Sequence, residues 1–498
     1  MRSLFLSFLC LIALTITGYG KTPYDFNVNC RQAYQFVIDF RFEESELLLK
    51  KEMESQPENA VPYYIRMKRL FLQTFITEEA DDFAKFKEAR ETLLKKIESG
   101  DEKNSPYHLH FKSETALSYA ILKIKFNELL SAGYEFRKAY KLGQENIKKH
   151  PSFMQNNKTA GFMHALIGAV PSKYKWLINL LGFSGTIDEG MSELDKLYNQ
   201  SKLDNSLIYL KDEMLFLTGF LKWHIQNRKE EALKMADEMS LSDSPLLHFG
   251  AGSIFMYNGE NEKVLKLLKG NINPSGRFRL LYLEYLLGAA LLNKTDLQAE
   301  EHFDQYINQF KGSSFIRAAL QKKGWALLLQ GDTANYHKVM QRVIASKGDF
   351  TDEDKQALVE ARNKIIPHAG ILRSRLLFDG GYYKESLKIL ASLKTSTLTT
   401  TKEQVEFIYR LARVYEKLND REKAIRYYLE TIRLGKNETW YFAANSLLML
   451  GQLYEQEKNF HKAAHYYNLC IDMQNHEYEN SIEQKAQAGL NRIGKQKQ

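Results

Sequence analysis

"LARVYEKLNDREKAIRYYLE", residues 411–430, and "LGQLYEQEKNFHKAAHYYNL", residues 450–469, are one pattern written twice. Leu411, Ala412, Tyr415, Ala424 and Tyr428 recur 39 residues later as Leu450, Gly451, Tyr454, Ala463 and Tyr467. The spacing predicts a helix, a tight turn and a second helix, with small residues where the helices touch and rings filling the gaps between them. One such pair cannot bury its apolar face alone, so copies must stack into a continuous body.

Weaker copies precede these two. Ala251, Gly252, Phe255, Val264 and Leu268 keep the spacing, as do Leu287, Gly288 and Leu291 followed by Ala299 and Phe303. Another runs from Ser374 and Leu377 through the Gly380–Gly381 turn to Ser386 and Leu390. That makes about five copies, and the expected fold is an all-α solenoid of antiparallel helix pairs with its repeat array over residues 241–495. Residues 21–240 are expected to be a second helical region with degenerate repeats. In it Asp25 or Asn27 caps the first helix, and Ser55 to Asn59, with Pro57, forms a turn. The stretch from Gly161 to Leu194 is unusually apolar and reads as a helical hairpin, either sealing the core or meeting a membrane surface through Tyr174, Trp176, Leu177 and Leu180.

The two C-terminal copies resemble tetratricopeptide repeats. A longer resemblance covers residues 150–475, where "VPSKYKWLI", "LLGFSGTIDEGMSEL", "EMLFLTGFLKWH", "GSIFMYNGENEKVLKLL" and "IRAALQKKGWALLLQGD" follow in the order seen in the tetratricopeptide repeat protein 39 group and the fungal inclusion-body clearance proteins. That resemblance implies a helical-repeat protein without a catalytic site, a scaffold or binding role, and a link to lipid handling. In such repeats the first helices line the concave surface, which brings Tyr409, Arg413, Asn445 and Gln452 toward a groove able to take an extended peptide.

With 498 residues the chain exceeds what one compact core needs, and only 9 prolines interrupt it while 28 Tyr and 29 Phe supply helix interfaces. The net charge of +8, from 69 basic and 61 acidic residues, is spread along the chain, so no nucleic-acid footprint is expected. Arg2, an apolar run from Leu4 to Ile16 and the small Gly18 and Gly20 read as an export signal over residues 1–20, with the mature chain starting near Lys21. Export points to the periplasm or the outer membrane of a bacterium. Cys30 and Cys470, far apart in such a stack, are expected to be free thiols.

Candidates for chemistry are few. His461 and His465 share one helix face but lack a third ligand, and His108 and His110 alternate in an expected loop after Pro106. Asp349, Asp352, Glu353 and Asp354 lack the glycine and final glutamate of a calcium loop, so Thr351 or Asp352 is expected to cap a helix instead. "GFSG" is not followed by the residues of a phosphate loop, and "GAGS" at Gly250–Ser253 suits a helix contact. We therefore expect no enzyme, no metal and no cofactor. The expected role is a protein-interaction scaffold of the cell envelope that binds a protein or peptide. The rival is a module for a glycan or lipid at the outer membrane.

Overall fold

The computed structural model describes residues 23–495 apart from 101, 171–177, 179, 227, 349 and 350. The expected leader, Tyr174, Trp176, Leu177 and Asp349 lie outside the described residues. Every regular element among the described residues is helical, as the repeat pattern requires, and none of these helices is long and apolar enough to cross a membrane.

Two compact units emerge. The N-terminal unit contains α1 (Val28–Ile38), α2 (Phe42–Ser55), α3 (Val61–Thr77), α4 (Ala80–Ser99), α5 (Pro106–Lys125), α6 (Leu129–Lys149), α7 (Asn156–Gly168) and α8 (Ile187–Leu203). It ends within α9 (Lys211–His224) at Thr218 and takes in Ser275–Phe278. The C-terminal unit continues with α10 (Lys229–Met239), α11 (Pro245–Tyr257), α12 (Asn261–Leu268), α13 (Tyr282–Asn293), α14 (Ala299–Gln309), α15 (Ile316–Leu329) and α16 (Thr333–Ala345). It is completed by α17 (Asp352–Asn363), α18 (Ala369–Asp379), α19 (Tyr383–Ser392), α20 (Thr401–Lys417), α21 (Arg421–Gly435), α22 (Phe442–Gln456), α23 (Phe460–Asp472) and α24 (Glu479–Lys495). Ala169–Gly182 belongs to the C-terminal unit, so the chain passes between the units more than once.

One turn recurs through both units. In it an amide beyond the helix bonds back to the carbonyl five residues earlier, in the last turn, and the residue just before that amide takes a left-handed conformation, the Schellman ending of a helix. Arg41, Glu128, Glu260, Asp296, Asp332, Tyr382, Asp420 and Asn459 donate in this way to Phe36, Lys123, Phe255, Leu291, Leu327, Leu377, Tyr415 and Tyr454, over 2.7–3.0 Å. The left-handed residues are Phe40, Asn127, Gly259, Thr295, Gly331, Gly381, Asn419 and Lys458. Each turn reverses the chain so that the next helix packs antiparallel on the last.

The two strong copies share more than their spacing. Tyr428 and Tyr467 are fully buried, and their hydroxyls donate to Glu416 and Glu455 at equivalent positions. Tyr415 stacks on Tyr427 at 5.6 Å and Tyr454 on Tyr466 at 5.5 Å. A Cβ on Gly451 would lie 2.4 Å from the Tyr467 ring, which is why that position stays small. The other three copies also fold as pairs, α11 with α12, α13 with α14 and α18 with α19. A further pair, α15 with α16, escaped the sequence pattern. There the ring that packs on the small Gly324 is Tyr336, four residues earlier than Tyr428 stands in its copy, and Met340 takes the usual ring position.

Caps follow the sequence reading in several places. Asn27 accepts from the Cys30 amide at the start of α1, and Thr351 accepts from the Asp354 amide at the start of α17. Asp354 is itself buried and accepts from the amides of Phe315 and Ala318, so the acidic run closes two helix starts at once. Cys30 and Cys470 are free and buried. His108 and His110 do not lie in a loop: Pro106 begins helix α5, where proline at the first turn loses no hydrogen bond, and both rings are buried on it.

The N-terminal unit buries four charges from four helices. Lys158 lies 2.8 Å from Glu114 and 3.4 Å from Glu213, and Lys68 lies 2.5 Å from Glu213 and 4.0 Å from Glu114. Tyr64 donates to Glu114 at 3.2 Å, Thr159 donates to the same carboxylate, and Tyr34 donates to Glu213. Burial opposes ionisation of Glu114, yet the two ammonium groups hold its carboxyl well below the usual range. His110, beside this group, is pushed down to about 4 by burial, so it stays neutral.

Candidate functional site

A register position in the first helices of the C-terminal unit collects the candidate site. In α15, α18, α20 and α22 the residues following the small contact residues Gly324, Ser374, Ala412 and Gly451 are Trp325, Arg375, Arg413 and Gln452. Stacking of helix pairs sets equivalent positions side by side, and the contacts bear this out. The Arg375 guanidinium lies over the Trp325 ring at 5.1 Å, and the Arg413 guanidinium lies over Phe378 of α18 at 5.0 Å. Lys322, one turn before Trp325, sets its ammonium over the same indole at 5.1 Å and over Tyr285 at 5.9 Å. Cations resting on ring faces are attracted by the ring quadrupole and keep a defined direction.

Of the four residues singled out from sequence, three meet in one cluster. The Tyr409 hydroxyl accepts from Arg413 at 3.0 Å and from Asn445 at 2.6 Å. Tyr409 itself does not line a groove. Its ring is buried to 1% against Tyr441 and Phe442, so it cannot stack on a ligand; it holds Arg413 and Asn445, which are half-buried, in place. Gln452 is half-buried two turns beyond Asn445 on the same face of α22. Sequence reading missed Lys322, Trp325 and Arg375, although the register following the small residue would have found the last two.

Not every cation on this face has a carboxylate within ion-pair distance. Arg410 is paired with Glu406 at 2.8 Å and donates to Tyr441 at 3.3 Å, and Arg375 has Asp379 at 3.8 Å. Glu360 is occupied by Trp325 and Gln321, which donate to it at 2.8 and 2.7 Å, and burial raises its pKa. Among the described residues no carboxylate lies within ion-pair distance of Lys322 or Arg413, and Arg413 Nε is buried without a hydrogen-bond partner. Burial and then the neighbouring Arg375 push Lys322 down. An anion reaching these groups would relieve both effects.

His461 and His465 are exposed on α23, and Gly252 of the "GAGS" stretch sits against Leu286 of the following pair, where a Cβ would come within 2.7 Å.

Residues 408–439 and 444–477 each match the tetratricopeptide repeat family. No curated protein matches the chain. Residues 408–477 are thus two tetratricopeptide repeats at the end of an all-helical array, a module that is typically non-catalytic and commonly mediates contact between proteins.

Proposed function

We propose that this chain is a protein-interaction scaffold whose C-terminal unit grips an extended, carboxylate-bearing segment of a partner along the row Lys322, Arg375 and Arg413. The observation that carries the reading is the pair of ring-supported cations, Lys322 and Arg413, held in fixed directions with no carboxylate within ion-pair distance among the described residues. A peptide laid across successive first helices meets one of these groups per repeat, with Asn445 and Gln452 available to its backbone. Charge-assisted bonds to carboxylates then set orientation and register. We place this scaffold in the periplasm or at the outer membrane on the strength of the export signal read in residues 1–20.

Mild crosslinking of the tagged mature chain in its own cells, followed by affinity capture and mass spectrometry, tests the reading. We expect one or two envelope proteins, crosslinked near α18 to α22, that are lost from the Lys322→Ala/Arg413→Ala variant. Lipid or glycan captured without an enriched protein, or protein capture indifferent to that variant, overturns it.

A further inference from the structure

We propose that His164, Glu189 and Glu193 in the N-terminal unit form a binding site for a divalent transition-metal cation of the zinc class. The site is built by a close helix crossing. A Cβ on Gly190 would lie 2.4 Å from the Ala165 amide nitrogen and from the Gly161 carbonyl oxygen, so only glycine lets α7 and α8 approach this far. That approach sets His164 of α7 against the two glutamates that flank Gly190 on α8. His164 Nδ1 stands 2.8 Å from Glu193 Oε2 and 3.8 Å from Glu189 Oε1, and the three donor atoms all lie within 4.8 Å of one another.

A zinc ion bound at about 2.0–2.2 Å from each ligand requires donor atoms about 3–4 Å apart. Small rotations of the two glutamates reach that geometry. The imidazole is buried, whereas Glu189 is exposed and Glu193 half-buried, which leaves an entry path and open positions for water. The second ring nitrogen is provided for as well. In the structure the Gln144 amide nitrogen lies 3.1 Å from His164 Nε2; turning this amide over exchanges its nitrogen for its oxygen, which then accepts the Nε2 proton. In that turned-over orientation the bond selects the tautomer whose Nδ1 lone pair points to the glutamates, the usual support of a metal-bound histidine; in the orientation seen here Nδ1 carries the proton and donates to Glu193.

Charge points the same way. A single carboxylate, Glu193, suffices to pair a protonated imidazole, and Glu189 is a second one. Among the described residues no lysine or arginine pairs with either glutamate. A neutral imidazole with two carboxylates leaves two negative charges for a dication.

The full mature chain, stripped with chelator, is titrated with zinc chloride in a calorimeter at neutral pH, with circular dichroism confirming the fold of each variant. Glu189→Gln is the main variant, since that side chain is exposed and its loss leaves the helix crossing intact; Glu193→Gln and His164→Asn accompany it. The exposed His461 and His465 could hold zinc independently, so a His461→Ala/His465→Ala variant is titrated in parallel. We expect one saturable site, weakened at least about tenfold in Glu189→Gln and Glu193→Gln and retained in the variant without His461 and His465. Absence of saturable binding by the folded chain, equal affinity in Glu189→Gln, or loss of the site with His461 and His465 each overturns the proposal.

Discussion

The two units treat charge in opposite ways. In the N-terminal unit Lys68, Lys158, Glu114 and Glu213 are buried as two cations against two anions, every carboxylate accepting further hydrogen bonds from Tyr34, Tyr64 or Thr159. In the C-terminal unit Lys322 and Arg413 rest on rings at the first-helix face, with no carboxylate in ion-pair distance among the described residues. Charges closed on one another hold helices in place but offer nothing to a partner. Charges held open by rings add little to stability and remain available. The first arrangement is a lock between α3, α5, α7 and α9, and the second is the face on which we propose a partner docks.

The largest expected effect tests the lock. Replacing Glu114 by Gln leaves Lys158 buried with half its compensation, and breaking a buried pair of this kind costs about 3–5 kcal/mol. Urea unfolding of the full chain should show the N-terminal unit losing that much while the C-terminal unit keeps its own transition. Replacing both Lys158 by Met and Glu114 by Leu should recover a large part of the loss, because no lone charge then remains. A neutral Glu114→Gln variant would show that water, not the two lysines, satisfies this carboxylate, and the contrast between the units would fail.

Next comes pH. His110 has its folded pKa pushed down to about 4 by burial, with Glu114, Lys158, Lys68 and Glu213 the charges facing it. The unfolded chain therefore binds this proton first. The stability that the neutral ring contributes is full above about pH 6.5 and is lost as pH falls toward 4, by up to about 3 kcal/mol. Urea midpoints at pH 7 and 4.5 should fall further apart in the native chain than in His110→Gln. Equal differences would mean that the ring is already protonated in the folded state.

Glycines sharpen the comparison at a smaller scale. Gly451 faces the Tyr467 ring so closely that a Cβ would overlap it, and Gly451→Ala should cost about 1–3 kcal/mol through overpacking. Gly133 in α6 has open space where its Cβ would be, and Gly133→Ala should stabilise the N-terminal unit by about 0.5–1 kcal/mol. Thermal unfolding reads both. Opposite signs are expected, because one glycine serves a helix contact and the other serves none.

How much of this was legible in the sequence depended on where bulk is stored. The pairs at 411–430 and 450–469 announced themselves because ring and small residue keep the same places, down to Glu416 with Tyr428 and Glu455 with Tyr467. The pair from Ile316 to Ala345 was hidden because Tyr336 moved the ring by one helical turn against Gly324. Five of the eight left-handed turn positions hold Phe, Thr, Lys or Asn instead of glycine, so the turns themselves gave a weak signal. The buried quartet was illegible in principle, since its members come from four helices and each letter alone reads as a surface residue. At the candidate site Arg413 and Gln452 are half-buried on first helices, whereas Tyr409, taken for a groove ring, is covered because the pattern does not say which rings the next pair buries.

The smallest expected effect lies between the two repeats that look most alike. Tyr428 and Tyr467 occupy the same position, are equally buried, and each donates to a glutamate in the preceding helix. Their glutamates differ in what else they hold. Glu455 also pairs with Arg492 of α24, both guanidinium bonds at 2.8 Å, whereas among the described residues no basic side chain pairs with Glu416. Removing the hydroxyl therefore leaves Glu416 with no strong partner but leaves Glu455 satisfied on one side. Each Tyr→Phe change should cost within about 0.5–1.5 kcal/mol, with Tyr428→Phe nearer the upper figure and Tyr467→Phe nearer the lower. Adding Arg492→Ala to Tyr467→Phe should bring the second repeat up to the first. If instead the two single changes cost the same, Arg492 contributes nothing to Glu455 in the folded chain, and α24 is held by the apolar contacts of Ile482, Ala486 and Ile493 alone.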